Sequence, residues 1–133
     1  MELTKSEMEI MDVFWASENS LSRSDLLESS APKTWKDSSV HILLNGLLKK
    51  GLIHEAGLVK RRKTYGRLFA PSMTREEYFI ANIFSYRHKP EPITLQKAFI
   101  EGVPLSAEDL KTISALFAQA AEKKESSAQN QEA

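Results

Sequence analysis

The stretch from residue 36 to residue 50 constrains the fold most, because its apolar residues repeat at helical spacings of three and four. The apolar positions are Val40, Leu43, Leu44, Leu47 and Leu48. Gly51 follows them, and a glycine at this point favours a left-handed helix end. The stretch therefore predicts a helix with a buried face and an outward face. The outward positions are Ser38, Ser39, His41, Ile42, Asn45, Gly46 and Lys49.

Two shorter helices are predicted before it. Thr4 and Glu7 have the spacing of a capping box, which predicts a helix from Thr4 to about Ala16. Ser22 and Asp25 repeat the spacing and predict a second helix, which ends in the segment 29–32 at a proline.

A hairpin is predicted after the third helix. Residues 52–55 and 64–70 have strand character and flank a basic tip at 60–63. Three helices followed by a hairpin are typical of a winged helix-turn-helix, in which the last helix enters the DNA major groove and the hairpin, or wing, reaches the backbone or minor groove. The predicted fold class is mainly α with a small β hairpin (α+β), with a DNA-binding domain at 1–73.

The chain beyond Pro71 has a different pattern. We predict amphipathic helices over 74–88 and 94–101, and a third that begins at Ser106 with Asp109 as its capping partner. So many exposed apolar residues on short helices predict a helical dimerisation segment at 74–124 and a flexible tail at 125–133. The alternative is that these helices pack on the first domain. The predicted dimerisation residues are Tyr78, Phe79, Ile83, Phe84, Leu95, Phe99, Leu110, Ile113 and Phe117.

Charge is segregated along the chain, although the formal net charge is zero. Residues 1–32 contain two Lys/Arg and seven Asp/Glu, whereas residues 33–67 contain nine Lys/Arg and two Asp/Glu. This segregation favours a basic surface for a polyanion, although the same residues could simply solvate a hairpin.

Composition excludes several chemistries. The chain has no cysteine, which excludes disulfides, thiolate metal clusters and a cysteine nucleophile. His41, His54 and His88 lack the spacing of a ligand set, so we predict no metal site, no catalytic site and no cofactor. The charged N-terminus and the absence of a long apolar run predict a cytoplasmic protein with no membrane partner.

Several segments, in this order, resemble the penicillinase-repressor family, which includes methicillin-resistance regulators and copper-transport repressors. They are Leu3–Glu7, Ile10–Trp15, Thr34–Trp35, Val40–Leu44, Leu47–Leu52 and Phe69–Pro71. The resemblance implies a dimeric repressor of resistance or transport genes that binds a palindromic operator as double-stranded DNA. The family's reading positions correspond to Ser39, Ile42 and Gly46, where relatives usually have Thr, Thr and Arg.

The resemblance also bears on induction. In the antibiotic branch a regulatory protease cuts near an Asn-Phe bond, and the matching place here is Ala98-Phe99, without the Asn. The copper branch senses metal through cysteines, which this chain lacks.

The predicted DNA contacts combine the outward face of the third helix with the wing. Lys36, Ser38, Ser39, His41, Ile42 and Asn45 are expected near bases or adjacent phosphates, and Lys49, Lys60, Arg61, Arg62, Lys63 and Arg67 along the backbone. Two alternatives remain at this stage. One is a winged-helix protein-interaction module without sequence-specific DNA binding, and the other is a winged-helix regulator that binds a small effector.

Overall fold

The structure, a computed structural model, describes residues 2–29 and 33–132. It contains six α-helices and three β-strands within these residues. The chain divides into two compact units, Met1–Lys89 and Pro90–Ala133. The helix-rich fold with a small antiparallel sheet confirms the predicted fold class.

The first two helices begin where their capping boxes predict. Helix α1 spans Lys5–Ala16 and α2 spans Arg23–Glu28. Both N-caps show the reciprocal hydrogen bonds of a capping box, Thr4 with Glu7 and Ser22 with Asp25. The predicted end of the second helix at 30–32 lies outside the described residues.

The third helix begins later than predicted. A 3₁₀ turn covers Asp37–Ser39, and α3 spans Val40–Lys49. Two consecutive serines weaken the first turn, because serine side chains compete for backbone hydrogen bonds. Gly51 follows α3 with a φ of 75°, as the predicted left-handed helix end requires.

The strands of the wing are longer than predicted. Strand β2 (Ile53–Arg61) pairs with β3 (Thr64–Pro71), so Lys60 and Arg61 lie in the strand and only Arg62 and Lys63 form the turn. The two-residue strand β1 (Leu21–Ser22) adds to β3, which gives the sheet order β1-β3-β2. A strand of two residues has no alternation that a sequence pattern could reveal.

The core of the first unit lies between α1, α2, α3 and the base of the wing. Its buried apolar residues are Ile10, Met11, Phe14, Leu26, Trp35, Val40, Leu44, Leu47, Leu52, Ile53, Phe69 and Tyr78. Trp35, which follows α2 and precedes α3, is buried in this core.

Helix α4 (Arg75–Ile83) ends before the predicted limit at residue 88 and belongs to the first unit. Tyr78 on this helix is buried, and its ring lies 5.8 Å from that of Trp15. The compact first unit therefore extends to Lys89, beyond the predicted boundary at residue 73. The predicted boundary at residue 73 followed from the change in sequence pattern after Pro71, but the next helix contributes Tyr78 to the same core.

The second unit contains α5 (Pro92–Gly102) and α6 (Ala107–Glu132). Ser106 and Asp109 form the predicted cap of α6. The predicted flexible tail is helical through Glu132. Five of the eight residues from Glu125 to Glu132 are Glu, Gln or Ala, and their helix propensity explains why the helix continues without buried contacts. Across the described residues, no helix is both long enough and apolar enough to span a membrane.

Candidate nucleic-acid interface

Helix α3 has one buried and one exposed face. Val40, Leu44 and Leu47 are buried in the core. The exposed residues are His41, Ile42, Asn45 and Lys49. Ile42 is 71% exposed, the highest value for a large apolar residue among the described residues of the first unit. The buried stripe thus fixes which side chains α3 offers to a partner.

His41 and Asn45 are neighbours on this exposed face. Asn45 Nδ2 lies 3.4 Å from His41 Nε2, as expected for residues one helical turn apart. If the Asn45 amide donates one hydrogen to the ring, its Oδ1 and its second Nδ2 hydrogen point elsewhere. The pair therefore orients an amide that can both donate and accept.

The segment before α3 carries a charge that could oppose DNA. Asp37 Oδ1 lies 3.2 Å from Lys33 Nζ, and this ion pair offsets the carboxylate. Lys36, Ser38 and Ser39 occupy the same turn, with Lys36 and Ser38 exposed. The segment can therefore approach a polyanion without an uncompensated acidic group.

Gly46 does not belong to the exposed face, contrary to the sequence prediction. A Cβ atom at Gly46 would lie 3.0 Å from Glu7 Oε2, so Gly46 faces α1. Glu7 is 5% exposed, and its Oε1 accepts a hydrogen bond from Lys50 Nζ at 2.6 Å. The glycine thus leaves room for a partly buried ion pair that joins α1 to the end of α3.

The environment of Glu7 favours its ionised form. Burial by itself would raise the pKa of Glu7, but hydrogen bonds from Lys50 and Thr4 and the charge of Lys50 outweigh burial and hold the pKa below 4.5. Glu7 therefore stays negative near neutral pH and keeps Lys50 as its partner.

The wing carries cations with different surroundings. Lys60, Arg62 and Lys63 are exposed and form no ion pair with the carboxylates that the structure describes. Arg62 adopts a φ of 51° at the turn, and this left-handed conformation is uncommon for a residue other than glycine. These three side chains are available to phosphates.

Arg61 and Arg67 are engaged within the protein. Arg61 Nη2 donates to Ser22 Oγ at 2.9 Å and lies 3.7 Å from Asp25 Oδ1, so Arg61 ties the wing to the start of α2. Arg67 Nη1 lies 3.0 Å from Glu55 Oε1, and its guanidinium covers the ring of Phe69. Both arginines therefore position the wing, and any contact with a phosphate would compete with these interactions.

A cleft between α2, α3 and the wing brings these residues together. Its volume is about 240 Å³, and it is lined by His41, Arg61 and Arg67 together with Arg23 and Ser24. Sequence reasoning missed Arg23 and Ser24. The available signal was their position directly after the Ser22 cap, at the start of the helix that precedes α3. The cleft adds Arg23 to the cationic surface.

Residues predicted for dimerisation lie in several environments. Tyr78 is in the core, whereas Ile83, Phe84, Leu95 and Ile113 are half-buried. Phe79, Phe99, Leu110 and Phe117 are exposed. The exposed members on α5 and α6 offer an apolar surface in the second unit.

Ala98 and Phe99, the predicted cleavage position, both lie inside α5. Helical hydrogen bonds hold this part of the backbone, so a protease that needs an extended peptide would first have to unwind α5. As for metal ligands, the described residues contain no group of three or more His, Asp or Glu side chains placed to hold an ion.

A helical core, a third helix with an exposed outward face and a cationic hairpin define a winged helix-turn-helix protein. The sequence profile of the penicillinase repressor family matches residues 3–119, and the chain belongs to this family. Members of the family are transcriptional regulators and not enzymes, and the family assigns this chain to the transcriptional repressors. A comparison with curated proteins finds no match.

Proposed function

We propose that this protein is a dimeric, cytoplasmic repressor that binds a palindromic operator in double-stranded DNA. Helix α3 would enter the major groove, while the wing would lie along the backbone. The observation that carries the proposal is the exposed face of α3 beside the unpaired wing cations Lys60, Arg62 and Lys63, in a chain of a repressor family.

We propose one set of residues for contacts near the bases and a second set for contacts with the DNA backbone. Lys36, Ser38, Ser39, His41, Ile42 and Asn45 would approach base edges and adjacent phosphates. Lys49 and the unpaired wing cations would bind phosphates, and Arg61 and Arg67 would hold the wing in position from the contacts they make with Ser22, Asp25 and Glu55. Phosphate contacts fix register and orientation, whereas base contacts supply specificity.

Dimerisation would come from the second unit. Exposed apolar residues on α5 and α6 include Ile93, Phe99, Ile100, Leu116 and Phe117. A second copy of the chain could cover this surface, and the two-fold symmetry of such a dimer would match a palindromic site.

The test is fluorescence anisotropy with DNA from upstream of the protein's own gene and with a scrambled duplex, at several salt concentrations. We expect at least tenfold tighter binding to the native sequence, and a log affinity that falls by about 0.9 per neutralised phosphate as log salt rises. The triple variant K60Q/R62Q/K63Q should flatten the slope.

The matched control is K123Q/K124Q, which removes cations from α6 and should leave the slope unchanged. Equal affinity for both duplexes would show that the wing binds phosphates without sequence specificity. No binding to either duplex would contradict the proposal and favour a protein-interaction module.

A further inference from the structure

The outward face of α3 carries an apolar side chain at its centre. Ile42 is 71% exposed and lies between polar residues, with His41 beside it and Asn45 three positions on. A single exposed apolar residue needs no explanation on an ordinary surface. On a helix proposed to enter the major groove, however, Ile42 must face base edges.

The chemistry of those edges limits what Ile42 can contact. The side chain has no hydrogen-bond donor or acceptor, so it gains nothing from the N7, O6, O4 or amino groups. The C5-methyl of thymine is the apolar group that the major groove displays. Burying that methyl against Ile42 removes apolar surface of both groups from water.

The chemistry of Asn45 also favours an A·T base pair. It lies on the face of Ile42, and its contact with His41 leaves Oδ1 and one Nδ2 hydrogen available. An asparagine amide can pair with the N6 and N7 positions of adenine, the partner of thymine. Gly46 has no side chain and faces Glu7 on another side of α3, so it takes no part in this contact with the base pair.

Resting on the proposed function, we infer that α3 reads an A·T base pair in each half-site, with Ile42 against the thymine methyl and Asn45 toward the adenine edge. Ile42 is the specificity-determining residue of this contact. A cytosine at the same position lacks the methyl and would be bound less tightly.

The experiment begins with selection of the tightest-binding duplex from a random pool by the full-length protein. Each thymine of that duplex is then replaced singly by deoxyuridine, which removes only the C5-methyl. We expect one position in each half-site where the replacement weakens binding about fourfold, the value that corresponds to loss of one buried methyl.

Variants of Ile42 then locate the contact. I42A should bind the thymine and deoxyuridine duplexes equally, whereas I42V should keep most of the preference because it keeps a branched side chain. Ile42 is exposed, and circular dichroism should show that both variants fold like the wild type.

Three outcomes would overturn the inference, and they distinguish its failure from the failure of the proposed function. A selected duplex without any methyl-dependent position, or a methyl dependence that I42A keeps in full, would contradict reading by Ile42 and leave the repressor function standing. Failure to enrich any sequence would contradict the proposed function and this inference together.

Discussion

The two units of the chain differ in how far they bury their apolar residues. The first unit buries a cluster of large apolar residues between α1, α2, α3, α4 and the base of the wing. Within residues 90–130, all of which the structure describes, no side chain is buried, and Phe99, Leu116 and Phe117 are exposed. The first unit therefore has its own core, whereas the apolar residues of the second unit need a cover from elsewhere.

This difference indicates which unit determines folding stability and which determines association with a second chain. A buried core stabilises a fold at any protein concentration, whereas an apolar surface covered by another chain is stabilised only as that chain binds. We therefore expect substitutions in the first unit to change unfolding and substitutions in the second to change oligomeric state.

The largest effect should follow truncation of the core. F14A removes a buried ring from α1 and should lower the free energy of unfolding by about 3–5 kcal/mol. Urea unfolding followed by circular dichroism measures the change. F79A is the matched control, because Phe79 is an exposed phenylalanine of the same unit and its loss should cost less than about 1 kcal/mol. Equal effects would contradict the assignment of the core.

A charge on α6 should act on association instead. F117D places a carboxylate on the exposed apolar face and should weaken the proposed dimer at least about a hundredfold, since an unpaired charge in an interface is strongly unfavourable. Sedimentation over a range of protein concentrations measures this. S127D puts the same charge on the polar last part of α6 and should leave the dimer intact. If F117D remained dimeric, Phe117 would not lie in the dimer interface.

The ion pair of Glu7 with Lys50 should have an intermediate effect on the first unit. E7Q should lower the free energy of unfolding by about 1–3 kcal/mol at pH 7, because it leaves Lys50 without its charged partner. The exposed Glu18 provides the control variant E18Q, which should change little.

The effect of E7Q should also depend on pH. The folded-state pKa of Glu7 lies below 4.5, so its stabilisation is fully present above pH 4.5 and is lost as the pH falls through the lowered pKa. The stability difference between wild type and E7Q should therefore shrink in acid. A difference that stays constant from pH 7 to pH 3 would show that the charge of Glu7 contributes nothing.

The smallest effect on free energy should come from the wing turn, whose side chains are exposed. R62A should weaken binding to all duplexes and reduce the salt slope by about 1.8, since it would remove one proposed phosphate contact from each subunit of the dimer. R62K keeps the charge and should keep the slope. R61A should leave the slope nearly unchanged, because Arg61 binds Ser22 and Asp25. A larger slope change for R61A than for R62A would reverse these roles.

Local patterns were sufficient for most helix starts. The capping pairs at Thr4, Ser22 and Ser106 depend on residues three apart in sequence, and all three form as predicted. The buried stripe of α3 and the left-handed Gly51 follow equally from short spacings. Such features involve neighbours along the chain, so a sequence contains all the information that they need.

The sequence by itself determined the helical order, the hairpin, the basic middle segment and the family resemblance. Only the tertiary structure decided that Gly46 faces Glu7, that Arg61 ties the wing to α2 and that Tyr78 belongs to the core. Glu7 and Gly46 are 39 residues apart, as are Ser22 and Arg61. Helical periodicity indicates which residues share a face but not which distant segment covers that face, because that choice depends on how the helices and the sheet pack together.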